Sequence, residues 1–226
     1  MKTQLSKIKE LKQKYIYNTK QKYYNVSKLK ENYIPEDQCT IKERLSKLKE
    51  NYLPEDQCKC IYEWIHTNKY LADDGEGKKV FCNTYKKDEL PEFLKYNIKG
   101  IFNVYHFIFI ISVERGYIAP HVDDDLYETC RNNLDICIPE KQPWLPPETE
   151  VYYVDACPEM KGGEIVMDNI MYAPKRNSSI TIPIGKLHSV TSITHQKRFR
   201  TAVVCEKYFL PKKYLDLLQT PLYNNS

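Results

Sequence analysis

The sequence predicts a mainly β, α+β chain: a sandwich or closed jelly roll with an N-terminal helical extension. From about residue 102 onward, short β-prone runs alternate with polar and turn residues, the texture of an all-β body. Ahead of them, residues 5–30 place Leu5, Ile8, Leu11, Tyr15, Val26 and Leu29 at the spacing of an amphipathic helix, with a break near Asn18. The 226 residues suit one full domain with an extension.

Taken in order, the extension holds an internal repeat. Val26 to Cys39 returns as Leu45 to Cys58 with 12 of 14 positions identical, and Leu5 to Lys9 resembles a worn third copy. Stacked arrays need more units than this, so the pattern reads as a local duplication of helix–Pro turns, with Pro35 and Pro54 ending the helices. Cys58, Ile61, Tyr62 and Ile65 continue a helical period and are expected to pack on the body. Residues 73–77 read as a turn and Asp88 to Tyr96 as a short helix. The expected strands are Phe102–Val113, Tyr117–Asp123, Leu134–Ile138, Val151–Asp155, Glu164–Asp168, Ser179–Pro183, Leu187–Ile193 and Phe199–Tyr208, and Pro211 to Gln219 reads as a final helix. These boundaries predict a basic extension over residues 1–60 and a β body over 61–220, with its core at 100–210. The segment 124–150, with Arg131, Trp144 and four prolines, has the length of a lid or substrate wall.

Composition excludes several classes. Eight cysteines occur with no CxxC pair and no framework spacing, and no N-terminal apolar run resembles a signal peptide. Reduced thiols in a cytoplasmic compartment are the expectation. Ile101 to Val113 is too short to span a bilayer. Net charge is +4, but residues 1–50 hold 13 Lys/Arg against 6 Asp/Glu, a net +7 that leaves −3 for the rest. A basic arm of this kind either solubilises exposed helices or meets an anionic partner such as nucleic acid.

The chemistry-bearing stretch is Arg115 to Asp125. In a strand, residues two apart project from one face, so His121 and Asp123 point together. Of five histidines, His188, at the head of another apolar run, is the choice for a third ligand; His195 lies in a polar turn. Two imidazoles and a carboxylate on one face leave coordination positions open, as in non-haem Fe(II) oxygenases. Arg198 and Arg200 follow, and a guanidinium is shaped to grip a carboxylate by two parallel bonds. Taken singly, each residue has an ordinary explanation: a surface histidine, a turn carboxylate, a satisfied core histidine. Their joint order separates them from that background.

His121-x-Asp123, His188 and then Arg198, with Gly162-Gly163-Glu164 between the two halves, resembles the 2-oxoglutarate and Fe(II)-dependent dioxygenase superfamily, most closely its prolyl 4-hydroxylase-like branch. The resemblance covers roughly residues 100–210. It implies a double-stranded β-helix, a jelly roll with the metal in its mouth, and Fe(II) held by His121, Asp123 and His188. It also implies 2-oxoglutarate and O2 as co-substrates, ascorbate as an auxiliary reductant, and hydroxylation of an unactivated C–H with release of succinate and CO2. Arg198 matches the spacing expected for the 2-oxoglutarate anchor, with Arg200 its rival on the same strand face. The small hydroxyl-bearing residue usual two places after that arginine is replaced here by Arg200, and Thr201 points the other way. The tyrosine usual on the strand before HxD is also missing, with Tyr105 or Tyr117 as substitutes. The implied substrate is a peptidyl residue such as proline; a nucleic acid base of the same superfamily's chemistry is the alternative. From other classes come a non-catalytic metal-binding jelly roll and a zinc hydrolase, which would leave Arg198 idle.

Overall fold

The computed structural model describes residues 48–97, 101–112, 115–123, 126, 146–216, 218 and 222–223. Residues 1–47, Leu134–Ile138 and most of the segment 124–150 lie outside them, so the basic arm, the first repeat copy and the predicted lid are not described.

Two antiparallel sheets face each other, as the alternating short strands predict. The elements are β1 (Lys49–Glu50), α1 (Glu55–His66), β2 (Ala72–Asp73), β3 (Lys78–Lys86), β4 (Val104–Ser112), β5 (Ile118–His121), β6 (Glu148–Asp155), β7 (Ile165–Met167), β8 (Ile170–Tyr172), β9 (Ser178–Pro183), β10 (His188–Val190), β11 (Arg200–Tyr208), α2 (Lys212–Leu215) and β12 (Leu222–Tyr223), with 3-10 turns at Lys87–Glu89 and Glu92–Asn97. The larger sheet runs β1-β9-β6-β11-β4-β3-β12, with β2 paired to β3, and the smaller runs β5-β10-β7-β8. Strands far apart in sequence are thus neighbours in each sheet, the crossed connection of a jelly roll.

The alternation of side chains along the larger sheet builds two interiors. On its outer face Phe81, Phe107, Phe109 and Val203 meet Ile61 and Ile65 of α1 in one apolar cluster. Trp64 lies against Phe81, Phe93 and Phe109 with ring centroids 4.8 to 5.4 Å apart. Ile61 and Ile65 are fully buried, and each such side chain stabilises the docked helix by roughly 1.5–3 kcal/mol. On the inner face Val151, Tyr153 and Ala202 meet Ile165, Met167 and Val190 of the smaller sheet. The site lies on this side.

One local expectation is corrected, and two strands join those expected. Where the sequence predicts a helix ended by Pro54, Lys49–Glu50 is a strand paired with β9, and Pro54 caps the start of α1. Proline's fixed φ and missing N–H suit a first turn better than a last one. Lys78–Lys86 is a nine-residue strand that its lysines concealed. Ile170–Tyr172 pairs with β7 as a further strand. No helix among the described residues is long and apolar enough to cross a membrane.

Candidate active site

β5 and β10 lie side by side, His188 opposite His121 and Val190 opposite Ile118. Three steps along β5 therefore answer two along β10, which is a β-bulge. The bulge falls at Ala119-Pro120, and it lets Ile118 and His121 both face the cavity, which strict alternation forbids. Pro120 has no N–H to donate, and bulged edge strands are where proline is tolerated. β5 ends at His121, so Asp123 reaches the site from the turn beyond it.

The three side chains converge. Asp123 Oδ1 lies 3.4 Å from Nε2 of His121 and 3.4 Å from Nε2 of His188. One ligand atom from each of the three falls within 4.8 Å of the others. The imidazole centroids are 4.2 Å apart. Each ring is held from behind: Nδ1 of His121 is 2.9 Å from the Ala119 carbonyl and Nδ1 of His188 is 3.0 Å from the Lys186 carbonyl. A carbonyl can only accept, so Nδ1 carries the proton in both rings and each Nε2 lone pair points at Asp123. Burial pushes the Asp123 carboxyl up, but the neighbouring His121 and His188 imidazoles and a hydrogen bond from Thr149 outweigh it and hold it below the usual range. Burial holds His188 below the ordinary histidine value, against the pull of Asp123. Both effects favour the ligating forms, a carboxylate and neutral imidazoles.

A cavity of about 370 Å³ opens beside this cluster and is lined by His121, Asp123, His188, Tyr153 and Arg200 among aliphatic side chains of the two sheets. Arg200 is 3% exposed. Its Nη1 donates to the Gly163 carbonyl at 2.8 Å and its Nη2 to Ser112 Oγ at 2.9 Å. The hydroxyl missing from the arginine's own strand thus comes from the adjacent one, where Ser112 is the cross-strand partner of Arg200. Arg200 Nε and the Tyr153 hydroxyl are both buried without a hydrogen-bond partner among the described residues. Burial lowers the affinity of Arg200 for its proton and pushes the Tyr153 phenol up to about 12. A buried guanidinium with unused donors is costly unless an anion completes it.

The double glycine makes this possible. Gly162 and Gly163 have φ of +87° and +78°, and a Cβ on Gly162 would lie 1.9 Å from the Ser192 carbonyl oxygen. Only glycine lets this turn pass so close to the chain after β10 while aiming the Gly163 carbonyl at Arg200.

Arg198 stands elsewhere. β11 begins at Arg200, so the two arginines do not share a strand face. The Arg198 side chain is 58% exposed and lies 3.5 Å from Asp155. His195 is exposed in a bridge with Lys161. Tyr105 belongs to the outer core and Tyr117 is exposed; Tyr153, on β6, is the tyrosine that faces the cavity. The strand Val151–Asp155 was legible, and alternation from Val151 points Tyr153 inward.

No family model and no curated protein matches the sequence. Solved structures do match the fold. A viral collagen prolyl hydroxylase from Paramecium Bursaria Chlorella virus-1, solved with 2OG, superposes with TM-score 0.54 at 12% identity over 75% of this chain and 98% of that one. The chain has the prolyl-hydroxylase fold. A prolyl-4-hydroxylase from Pseudomonas putida gives TM-score 0.52 at 12% identity over 74% of this chain and 93% of its own. In this fold β4 to β11 are the eight strands of the jelly roll, and β3 extends the larger sheet beyond them.

Proposed function

We propose that the chain is an Fe(II)- and 2-oxoglutarate-dependent dioxygenase that hydroxylates an unactivated C–H of a peptidyl residue such as proline. The observation that carries the reading is the pairing, in one cavity, of a His–Asp–His cluster with the buried Arg200 and the unpartnered Tyr153 hydroxyl. His121, Asp123 and His188 would hold the metal, a donor set suited to Fe(II) with open positions. Arg200, rather than the exposed Arg198, would grip the far carboxylate of 2-oxoglutarate, with the Tyr153 hydroxyl donating beside it. These unused donors are what a dicarboxylate would complete, so the residues fit the group.

Iron(II), 2-oxoglutarate and dioxygen, when bound, supply oxidative decarboxylation coupled to C–H hydroxylation, with succinate and CO2 as by-products. The chain supplies position. The carbonyls of Ala119 and Lys186 lock both imidazoles in the tautomer that presents Nε2, and Thr149 steadies Asp123. Arg200 is itself anchored by Gly163 and Ser112, so its free donors are preorganised and little entropy is lost on binding. The aliphatic walls exclude water from the reacting centre. The names of the structural neighbours, prolyl hydroxylases both, support a peptide as substrate.

The test is mass spectrometry of peptide and oligonucleotide panels incubated with the protein, Fe(II), 2-oxoglutarate and ascorbate. A gain of one oxygen atom on peptides alone, matched by succinate and abolished by Asp123→Ala, is the expected result. Oxidation of oligonucleotides alone would transfer the activity to a nucleic acid base, and no succinate in any arm would overturn the oxygenase reading.

A further inference from the structure

β5 stops at His121, so Asp123 hangs from a turn with no ladder to fix it. The two imidazoles are steadied by carbonyls of their own chain segments at Ala119 and Lys186. A ligating carboxylate needs comparable support from outside its own turn. Two anchors for it lie side by side on the inner face of the larger sheet.

β11 presents Arg200, Ala202 and Val204 to the cavity, and alternation puts Glu206 on the same face. Its cross-strand neighbours are Thr149 on β6 and His106 on β4, and His106 faces Thr84 on β3. All four are at most 1% exposed. A buried polar row thus crosses the sheet beside the apolar row of Cys82, Ile108, Val204 and Val151. Thr84 Oγ1 and His106 Nδ1 are 2.8 Å apart, which occupies one half of the row. The other half serves the turn after β5. Thr149 donates to the Asp123 carboxylate. Glu206 Oε2 accepts from the Leu126 N–H at 3.3 Å and from the Tyr208 hydroxyl. The Leu126 side chain is itself fully buried, seated among Val104, Tyr208, Leu210, Tyr214 and Leu218.

Leu126 lies three residues beyond Asp123, a span of at most about 10 Å, so fixing one confines the other. An acid is costly to place in an apolar cluster. An apolar side chain of equal volume would fill the space at lower cost, but it would leave the buried Leu126 N–H without its acceptor.

We propose that Glu206 is a positioning residue for the metal centre: it holds the turn that carries Asp123 and so sets how tightly His121, Asp123 and His188 bind a divalent cation. The proposal rests on the reading of those three residues as metal ligands. Glu206 touches none of the reacting groups; it acts through the backbone at Leu126, while its neighbour Thr149 acts on the carboxylate directly.

The experiment titrates Co(II) alone into the full-length protein and reads the dissociation constant by calorimetry. Glu206→Met keeps the volume but removes the acceptor, and Co(II) is expected to bind at least about tenfold more weakly. Glu206→Gln restores an oxygen for the Leu126 N–H and is expected to return the affinity to within about threefold of the parent. A merely structural role is separated by the Asp123→Ala chain, where the turn has no ligand to place. There, adding Glu206→Met is expected to change the residual affinity less than about twofold. Parental affinity in Glu206→Met, no recovery in Glu206→Gln, or losses that add in the double variant would each overturn the proposal. Should Glu206→Met fail to fold, the parent decides by reciprocity: Co(II) is expected to slow hydrogen exchange at the Leu126 amide at least about tenfold, and an unchanged rate refutes the link. The readout needs no turnover, so failure of the oxygenase reading and failure of this one are separate results. Parent protein that binds no Co(II) overturns both.

Discussion

Replacing Arg200 by alanine tests the co-substrate site most directly. Two of its N–H groups are used internally, on Gly163 and Ser112 at 2.8 and 2.9 Å, leaving Nε–H and the remaining donors for a ligand. Hydrogen bonds to a charged partner contribute about 1.5–3 kcal/mol each, so losing two of them costs at least about 3 kcal/mol. That corresponds to roughly 150-fold weaker binding of 2-oxoglutarate. Arg198→Ala removes an exposed guanidinium paired with Asp155 outside the cavity and is expected to change the affinity less than about twofold. The assay is isothermal titration of 2-oxoglutarate into protein loaded with Mn(II), which avoids oxidative turnover. Arg200→Lys keeps the charge but not the fork, and an intermediate loss is expected. The reasoning is refuted if Arg198→Ala abolishes binding while Arg200→Ala preserves it. If no variant and no parent binds 2-oxoglutarate, the proposed co-substrate itself is wrong.

Three further outcomes follow from other parts of the structure. Tyr153→Phe deletes a buried hydroxyl with no partner, so the ligand-free protein should gain about 1 kcal/mol in urea unfolding while 2-oxoglutarate binds roughly tenfold more weakly; a loss of both would mark the hydroxyl as structural. His106 is fully buried and burial alone lowers it from 6.5 to about 3. The unfolded chain then binds the extra proton first, so stability falls as pH drops below 6.5 and continues falling toward 3. About 2 kcal/mol of the loss between pH 7 and pH 5 should come from this residue, and His106→Gln should remove that slope in urea midpoints measured at the two pH values. Gly162→Ala forces a Cβ to 1.9 Å from a backbone oxygen at positive φ, whereas Gly75 at φ +75° has nothing within 4 Å; thermal melts should show a cost of at least about 3 kcal/mol for the first and about 1 kcal/mol for Gly75→Ala.

Why some of this was legible in the sequence and some was not follows from what pattern reading can see. Strands such as β4 and β11 announce themselves because their apolar runs are nine residues long and rich in β-branched and aromatic side chains, which favours a strand over a buried helix. β3 hides because lysines at both ends dilute its Val-Phe-Cys-Asn-Thr-Tyr alternation, and because Lys78 is buried at 9% exposure through Asp74 and Glu76 of its own turn and the distant Tyr117 carbonyl. Pro54 shows a directional ambiguity: proline stops one helix and starts another with the same ring, and only the chain on either side decides. His121, Asp123 and His188 could be grouped because histidines are few and the spacing is short. Their meeting nevertheless depends on a bulge at Ala119-Pro120 and a turn that ends β5 at His121, neither of which strict two-residue alternation contains.

The arginines show the limit most clearly. Counting residues from His188 favours Arg198, since spacing treats the connection after β10 as a fixed length. In the structure that connection is long enough to carry the Lys161–His195 bridge and the carbonyl of Ser192 that presses on Gly162, so β11 starts later and the first cavity-facing arginine is Arg200. The Ser112 hydroxyl is likewise invisible to counting along β11, because it is a neighbour across the sheet and not along the chain. A site of this kind is specified by strand register as much as by motif: shifting β11 by one residue against β4 would turn Arg200 to the outer face beside His66, and the cavity would lose its buried guanidinium, keeping only the Lys78 ammonium of that row among the described residues, while every motif residue stayed in place.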